Sequence, residues 1–174
     1  ENLISIAKTA SAEGGKVLMK HFGRIATIKN KGTLGDLVTN VDTEAEEVVI
    51  NCLNLNSPDI SILAEESGVS GGSSSLAWCV DPLDGTTNYA HGYPFFATSI
   101  GLTWNDAPIL GSISLPFLGE HYWAAPGIGA FCNEKPIRVS SSLKLEDSLL
   151  VTGFAYDRTT NIDNNYAEFC WLTH

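Results

Sequence analysis

The feature that most constrains this chain is an eight-residue segment, Asp81–Asn88, which directly follows a short apolar run predicted as a strand at Ala77–Val80. It reads DPLDGTTN and places two carboxylates three residues apart. Pro82 restricts the backbone between them and Gly85 permits a tight turn, so a short loop aims both acids at one point. Asp-Pro and Asp-Gly are also everyday turn signals. The full octapeptide is longer than a turn needs, and it indicates a site for a hard cation.

The same segment carries donors for an anion. The backbone N–H groups of Thr86–Asn88 would bind phosphate oxygens if a helix begins there, because the first turn of a helix presents N–H groups without helical partners. Mg²⁺ takes oxygen ligands at about 2.0–2.1 Å in near-octahedral order and keeps some waters. The segment therefore indicates a place where Mg²⁺ and phosphate meet.

The net charge limits the classes of molecule that this protein is expected to bind. Lys and Arg number 10 against 20 Asp and Glu, a net charge of −10, which argues against a nucleic-acid-binding protein because such a protein needs a basic face. Acidic residues that hold cations are compatible with an anionic substrate, although an acidic surface has the same composition. No apolar run is long enough to cross a membrane, and no signal-peptide pattern is present. We expect a cytoplasmic protein, or an organellar one if a targeting segment preceded Glu1.

Periodicity predicts helices first and strands later, which favours an α+β fold. In the first part we predict helices at 1–22 and 40–55, strands at 25–29 and 60–64, a polar turn at 31–35, and a mobile loop at 67–75. In the second part we predict strands at 95–103, 109–115, 121–125 and 149–154, a hairpin of 130–132 with 137–139, and a helix at 164–172.

Four segments resemble motifs of one protein family, and they follow one another along the chain in the same order as in that family. WCVDPLDGTTNYAHGYPFFATSIGL at 78–102 resembles the signature of the inositol monophosphatase family, which belongs to the lithium-sensitive, magnesium-dependent phosphatases. Three shorter segments are similar to further motifs of that family: AEES at 64–67, DLVTNVD at 36–42 and GAFCNEKPIRVS at 129–140. The resemblance covers nearly the whole chain.

The resemblance implies a fold and an activity. The fold is a layered α/β/α/β/α sandwich of the inositol monophosphatase and fructose bisphosphatase type, usually a homodimer. Residues 1–139 would form the metal-binding half, and 140–174 the start of a truncated second half. The activity is Mg²⁺-dependent hydrolysis of a small phosphorylated alcohol or sugar, with myo-inositol 1-phosphate as the first candidate.

The resemblance also assigns metal ligands, for two or three Mg²⁺ ions. Glu65 and Asp81 would bind the first ion together with the backbone carbonyl of Leu83. Asp81 and Asp84 would bind the second. Asp36 and Lys31 would lie near a further ion and its waters, and Glu66 would be a helper in the metal shell.

Catalytic and substrate roles follow the same motifs. A nucleophilic water would be activated by the metal and positioned by Glu65 and Thr86. Asp42 would hydrogen-bond Thr86 and help to take the proton. Backbone groups of Gly85 and Thr86 would bind phosphate oxygens, with Glu65 and Asp84 completing the substrate site.

Several of these residues have plainer explanations. Asp42 follows Thr39 by three positions, which also fits a helix capping box. Glu66 fits a solvated neighbour of Glu65 as well as a helper in the metal shell. Lys31 and Asp36 also fit ordinary surface charges, and His91 beside an aromatic residue is more typical of a structural histidine.

One departure from the family pattern bears on activity. Members carry a Trp-Asp motif beyond the signature, whose Asp is a ligand of the second metal. In this sequence the four tryptophans precede Cys79, Asn105, Ala124 and Leu172. We therefore hypothesise that these 174 residues alone are poorly active and bind the second metal weakly.

The same sequence features are compatible with other functions. Relatives with similar metal motifs act on histidinol phosphate, fructose 1,6-bisphosphate or 3′-phosphoadenosine 5′-phosphate. A non-catalytic metal-binding or interaction module is a different class of function. The joint presence of Glu65, Asp81, Asp84 and Thr86 favours an enzyme over that module.

Overall fold

The computed structural model describes five stretches of the chain: residues 2–24, 28–30, 37–72, 75–154 and 157–173. These residues pack as two compact units. The first falls within residues 1–29 and 37–137, and the second within 30–36 and 138–174.

Two amphipathic helices open the first unit, as the sequence predicts. Helix α1 spans Asn2–His21 and helix α2 spans Asn40–Asn56. Each buries an apolar stripe at three- and four-residue spacing, because side chains at that spacing share one helix face. The buried members on α1 include Ile6, Ala10 and Leu18.

Within the described stretches, ten strands form two sheets. Their bounds are β1 Ile28–Asn30, β2 Leu37–Thr39, β3 Ser61–Ala64, β4 Gly68–Ser70, β5 Leu76–Asp84, β6 Ala97–Trp104, β7 Ala107–Leu115, β8 Glu120–Ala125, β9 Gly129–Cys132 and β10 Lys135–Ile137. Strands β1 and β2 form a small sheet. The other eight form one sheet in the order β10-β9-β8-β7-β6-β5-β3-β4. Only the β3–β5 pairing is parallel among these eight strands.

The core of the first unit lies between the helices and one face of the large sheet. Trp78, Ile100 and Leu102 point from the central strands toward the helices and are almost fully buried. A second cluster joins Leu18 and Val41 on the helices to Leu83 and Tyr89, next to the DPLDGTTN segment. The α+β class is therefore confirmed, and the functional segment rests directly on this core.

Two predictions about glycine-rich and turn segments are wrong in detail. Residues 67–75 are not all loop, because β4 pairs with β3 at the sheet edge and its backbone hydrogen bonds outweigh the polar composition. The turn of the hairpin is shorter than predicted, and its second strand begins two residues earlier: Lys135–Ile137 pairs with β9, and Val139 is 96% exposed outside it. Asn133 and Glu134 both have positive φ, which matches a two-residue turn of the hairpin type.

The second unit contains less regular structure. It has a 3₁₀ helix at Leu145–Asp147 and a helix α4 at Tyr166–Leu172, which confirms the C-terminal helix with a later start. The predicted strand at 149–154 is wrong, because no described strand pairs with it and Leu149 and Val151 are more than nine-tenths exposed. The predicted strand at 25–29 is described only from Ile28, and the turn at 31–35 lies outside the described residues. Among the described helices, none is long and apolar enough to span a membrane.

Paired glycines let α1 approach the sheet closely. The sequence alone marks Gly14 and Gly15 as weak points of the helix. In the structure both are buried, and a Cβ at Gly14 would lie 2.7 Å from Cγ2 of Thr98 and 2.9 Å from Cγ2 of Val49. A Cβ at Gly15 would meet Ser114 Oγ at 2.8 Å.

We therefore expect Gly14→Ala to destabilise the protein, although alanine is the better helix former. Overpacking costs about 1–3 kcal/mol, against a propensity gain of about 1 kcal/mol. The β-branched Thr98 and Val49 are stiff, whereas the Ser114 hydroxyl rotates, so Gly15→Ala is expected to cost less. Urea unfolding of both variants measures the difference. A Gly14→Ala protein as stable as wild type would contradict this packing.

Candidate metal and phosphate site

The two acids of the central segment lie at the end of β5 and not in a loop beyond it. Asp81 pairs with Ser99 and Asp84 pairs with Ala97, so the ladder continues past the predicted strand end at Val80. Between these pairs, Pro82 and Leu83 stand opposite the single residue Thr98. This β-bulge bends the strand locally and places both carboxylates at one end of the sheet.

Glu65 reaches the same edge because β3 runs parallel to β5. Ala64 pairs with Val80 in register, and the next residue, Glu65, donates its backbone N–H to the Val80 carbonyl oxygen at 3.1 Å. Parallel strands end at the same side of a sheet, so Glu65 lies beside Asp81. The structure thus brings together three of the predicted metal ligands, which are separated by up to nineteen residues in sequence.

The electrostatics of Asp81 reflect this crowding. Burial is the largest cause that raises the pKa of Asp81, followed by the charge and hydrogen bonding of Glu65 and by the charge of Asp84, to about 7. The Leu83 N–H, which donates to Asp81 Oδ1 at 3.1 Å, acts in the opposite direction. A carboxyl group whose charge is disfavoured by neighbouring acids is favourably placed to share a cation with them.

Thr86 connects this edge to α2. It opens a short helix, α3, at Thr86–Ala90. Its hydroxyl lies 2.9 Å from the carbonyl oxygen of Leu83 and 3.2 Å from Oδ1 of Asp42, so both oxygens share one proton donor. Asp42 is only 2% exposed. The capping-box partner proposed for Asp42, the Thr39 side chain, lies outside the described residues.

Gly85 precedes this helix in the left-handed region, with φ of 86°. A Cβ there would also come within 3.1 Å of the Phe95 carbonyl oxygen. The turn therefore requires glycine both for its positive φ and for this close contact. The backbone of Gly85 and Thr86 therefore lies close to the carboxylates at the strand end. A helix does begin at Thr86, which is the condition under which the sequence indicates phosphate binding by these backbone N–H groups.

Sequence reasoning missed Glu46. This residue on α2 is 4% exposed, and its Oε2 accepts a hydrogen bond from the Glu66 backbone N–H at 2.9 Å. It thereby fixes the chain immediately after Glu65. Glu46 lies four residues after Asp42 and therefore on the same helix face, which could have indicated that its side chain is buried. From the sequence, its negative charge was explained only by its position near the start of a helix.

The remaining predicted residues fall as follows. Leu83 is buried, and Glu65 and Asp84 are exposed. His91 is exposed, with Nδ1 2.8 Å from the Thr87 carbonyl oxygen, as expected for a structural histidine. Lys31 and Asp36 lie outside the described residues.

The chemistry of the donors fits a hard divalent cation. Three carboxylates and the Leu83 carbonyl supply the oxygen ligands that Mg²⁺ prefers. Within the described part of the chain, however, no group of three His, Cys, Asp or Glu side chains converges tightly enough to form a ready-made metal cage. The residues fit part of a cation site, in which Asp81 neighbours both Glu65 and Asp84.

An open groove of about 420 Å³ borders this site, with Glu65, Asp81 and Ser99 in its lining. A larger cavity of about 820 Å³ lies within the second unit, between the 3₁₀ helix and α4. It contains none of the predicted site residues and its lining is mainly apolar, so we assign the chemistry to the smaller groove.

Comparison with known proteins gives consistent matches. The inositol monophosphatase family matches residues 1–174. An inositol-1-monophosphatase of Synechocystis sp. is 46% identical over 98% of this chain and 60% of that protein. A fructose-1,6-bisphosphatase/inositol-1-monophosphatase of Aquifex aeolicus is 40% identical over 88% of this chain and 60% of that protein.

The fold matches in the same way. The structure of an inositol monophosphatase from Anabaena (Nostoc) sp. superimposes with a TM-score of 0.87 at 46% identity, covering 99% of this chain and 63% of that one. The chain thus spans about three fifths of the length of these relatives. Sequence and fold agree over the whole chain, and the chain belongs to the inositol monophosphatase family.

Proposed function

We propose that the protein hydrolyses a small phosphomonoester with the help of Mg²⁺ held at the end of β5. The observation that carries this proposal is the position of Asp81, which interacts with both Glu65 and Asp84 while Thr86 and Asp42 lie alongside. Acidic side chains this close together lower the stability of a folded protein, because their negative charges repel one another. Their combination with a turn whose backbone N–H groups we propose to bind phosphate favours phosphoryl chemistry.

Each residue has a proposed task. Glu65, Asp81, Asp84 and the Leu83 carbonyl would hold Mg²⁺, which when bound supplies positive charge that acidifies water and neutralises the phosphate. The backbone N–H groups of Gly85 and Thr86 would hold phosphate oxygens.

The pair of Thr86 and Asp42 would handle the proton of the attacking water. The Thr86 hydroxyl donates to Asp42 Oδ1 at 3.2 Å, which leaves the Thr86 oxygen lone pairs to accept a hydrogen bond from water. As the water oxygen bonds to phosphorus, its proton passes toward Thr86 and Asp42. The ester P–O bond breaks, and the leaving alcohol takes up a proton from solvent. Catalysis of this kind depends mainly on positioning and charge stabilisation.

For the substrate we propose myo-inositol 1-phosphate first. Fructose 1,6-bisphosphate is the second candidate, because the Aquifex aeolicus relative is named for both activities. The test is phosphate release from a panel of four substrates, with Mg²⁺ or with EDTA, by a full-length protein that contains these residues, because the 174 residues alone are expected to be poorly active. The panel contains myo-inositol 1-phosphate, fructose 1,6-bisphosphate, histidinol phosphate and 3′-phosphoadenosine 5′-phosphate. We expect Mg²⁺-dependent release that is fastest with myo-inositol 1-phosphate.

Two outcomes would change this proposal. Faster release from another member of the panel would reassign the substrate while preserving the reaction class. Mg²⁺ binding by the full-length protein without release from any of them would support the non-catalytic metal-binding module instead. Two or three bound ions, lithium inhibition, a homodimer and a cytoplasmic or organellar location remain predictions from the family resemblance.

A further inference from the structure

Thr98 is a buried polar residue that the proposed reaction does not use directly. It lies on β6 opposite the bulge of β5, with 0% of its surface exposed. Its hydroxyl donates a hydrogen bond to the Pro82 carbonyl oxygen at 3.0 Å. This places a single buried donor against the backbone between the two acids.

The peptide that Thr98 contacts also orients a proposed metal ligand. The Pro82 carbonyl and the Leu83 N–H belong to one planar peptide unit, so fixing one group fixes the direction of the other. The Leu83 N–H donates to Asp81 Oδ1 at 3.1 Å. A continuous path therefore runs from the Thr98 hydroxyl through one peptide to the Asp81 carboxylate, and each bond in such a chain polarises the next.

The bulge explains why this support matters. Pro82 and Leu83 face one residue of β6 where regular pairing would supply two, so the ladder is locally disrupted. The next carbonyl, that of Leu83, also accepts from a threonine, Thr86, at 2.9 Å. Two threonine hydroxyls thus donate to successive carbonyl oxygens of the segment.

Thr98 is itself held from the helix side. A Cβ at Gly14 would lie 2.7 Å from Thr98 Cγ2 and 3.0 Å from its Oγ1, so α1 packs directly against this side chain. A β-branched side chain has few χ1 rotamers, and close packing restricts it further. The hydroxyl is therefore aimed at Pro82 by the packing of the core.

We infer that Thr98 is a positioning residue: through the Pro82–Leu83 peptide it orients Asp81 for cation binding. The inference rests on the proposed function of Asp81 as a metal ligand. It predicts that loss of the Thr98 hydroxyl weakens Mg²⁺ binding and turnover by more than any loss of folding stability explains.

The test compares four variants. Thr98→Val removes the hydroxyl at nearly constant volume, and Thr98→Ala removes it without bulk in case valine disturbs the fold. Thr98→Ser keeps the hydroxyl. Thr103→Val is the matched control on the same strand, since its hydroxyl donates to the Ala77 carbonyl oxygen at 3.3 Å, away from the acids.

Calorimetric titration with Mg²⁺ alone is the main readout, with thermal unfolding in EDTA and phosphate release beside it. We expect Mg²⁺ affinity to fall about tenfold in the valine and alanine variants, as for other residues that orient metal ligands, and to stay near wild type in the serine variant and the control. Unchanged affinity in Thr98→Val and Thr98→Ala would overturn the inference, as would equal loss in Thr98→Ser.

The proposed function has its own, separate failure. If the full-length wild-type protein binds Mg²⁺ in the calorimeter but releases no phosphate, the proposed reaction is wrong, while the role of Thr98 is still decided by the Mg²⁺ affinities. If wild type releases phosphate and the Thr98 variants bind Mg²⁺ like the control, only the inference on Thr98 fails.

Discussion

Asp81→Asn is expected to abolish most Mg²⁺-dependent phosphate release, by at least about a hundredfold, because even residues that only orient metal ligands cost 10–100-fold when changed. Asp81 is the acid that neighbours both Glu65 and Asp84, so both proposed ions depend on it. Asparagine retains an oxygen that can accept from the Leu83 N–H but lacks the negative charge. The measurement is the steady-state rate of phosphate release across a Mg²⁺ titration.

The same substitution is expected to stabilise the protein in EDTA. Burial and the neighbouring acids raise the pKa of Asp81 from 3.8 to about 7, so between these values the folded state binds a proton that the unfolded state does not. In EDTA the free energy of unfolding therefore falls as the pH rises from about 3.8 to about 7. Near pH 8 asparagine removes the unfavourable charge, which we expect to add about 1 kcal/mol after solvent screening of a partly exposed group.

Asp59→Asn is the matched control, since Asp59 is exposed and lies away from the proposed ligands. It should leave both activity and stability unchanged. An Asp81→Asn protein that keeps its Mg²⁺-dependent activity would refute the assignment of Asp81 as a ligand. A variant that loses activity but is less stable than wild type in EDTA near pH 8 would contradict the electrostatic account.

The second large effect is expected from Thr86→Val. This change removes the one hydroxyl that faces both the Leu83 carbonyl and Asp42, while the β-branched shape is kept. It removes this donor from the buried Asp42, and a hydrogen bond to a charged group contributes about 1.5–3 kcal/mol. We expect kcat to fall about 10–100-fold, in the range found for groups that orient a catalytic centre.

Thr86→Ser should recover most of the kcat, because it restores the hydroxyl. Thr103→Val again serves as the control for loss of a hydroxyl on the sheet, with kcat near that of wild type. A purely structural role for Thr86 would lower the melting temperature and leave kcat of the folded fraction unchanged. That pattern would exclude the proposed proton path through Thr86 and Asp42.

The sequence predicted the parts of the site that depend on local chemistry. The placement of two acids around Pro82 and the glycine turn after them both follow from short-range backbone preferences. The amphipathic helices α1 and α2 follow from their apolar spacing. These features lie within one turn or one helix face and need no partner to be recognised.

The features that were missed depend on partners distant in sequence. Strand β5 continues to Asp84 because β6 pairs with it beyond the bulge. Glu46 gains its role from the backbone of Glu66, twenty residues away, and Thr98 gains its role from Pro82. The paired glycines of α1 are explained only by the side chains of the sheet below them. Residue type and spacing do not predict contacts between residues that are distant in sequence.

Crystals of the protein grown with Mn²⁺ in place of Mg²⁺ test the central claim most directly, through an anomalous difference map at the end of β5. We predict a peak bounded by the carboxylates of Glu65, Asp81 and Asp84, and its loss in crystals of the Asp81→Asn variant. A peak elsewhere, or no peak at the strand end while the protein hydrolyses substrate with Mn²⁺, would contradict the account.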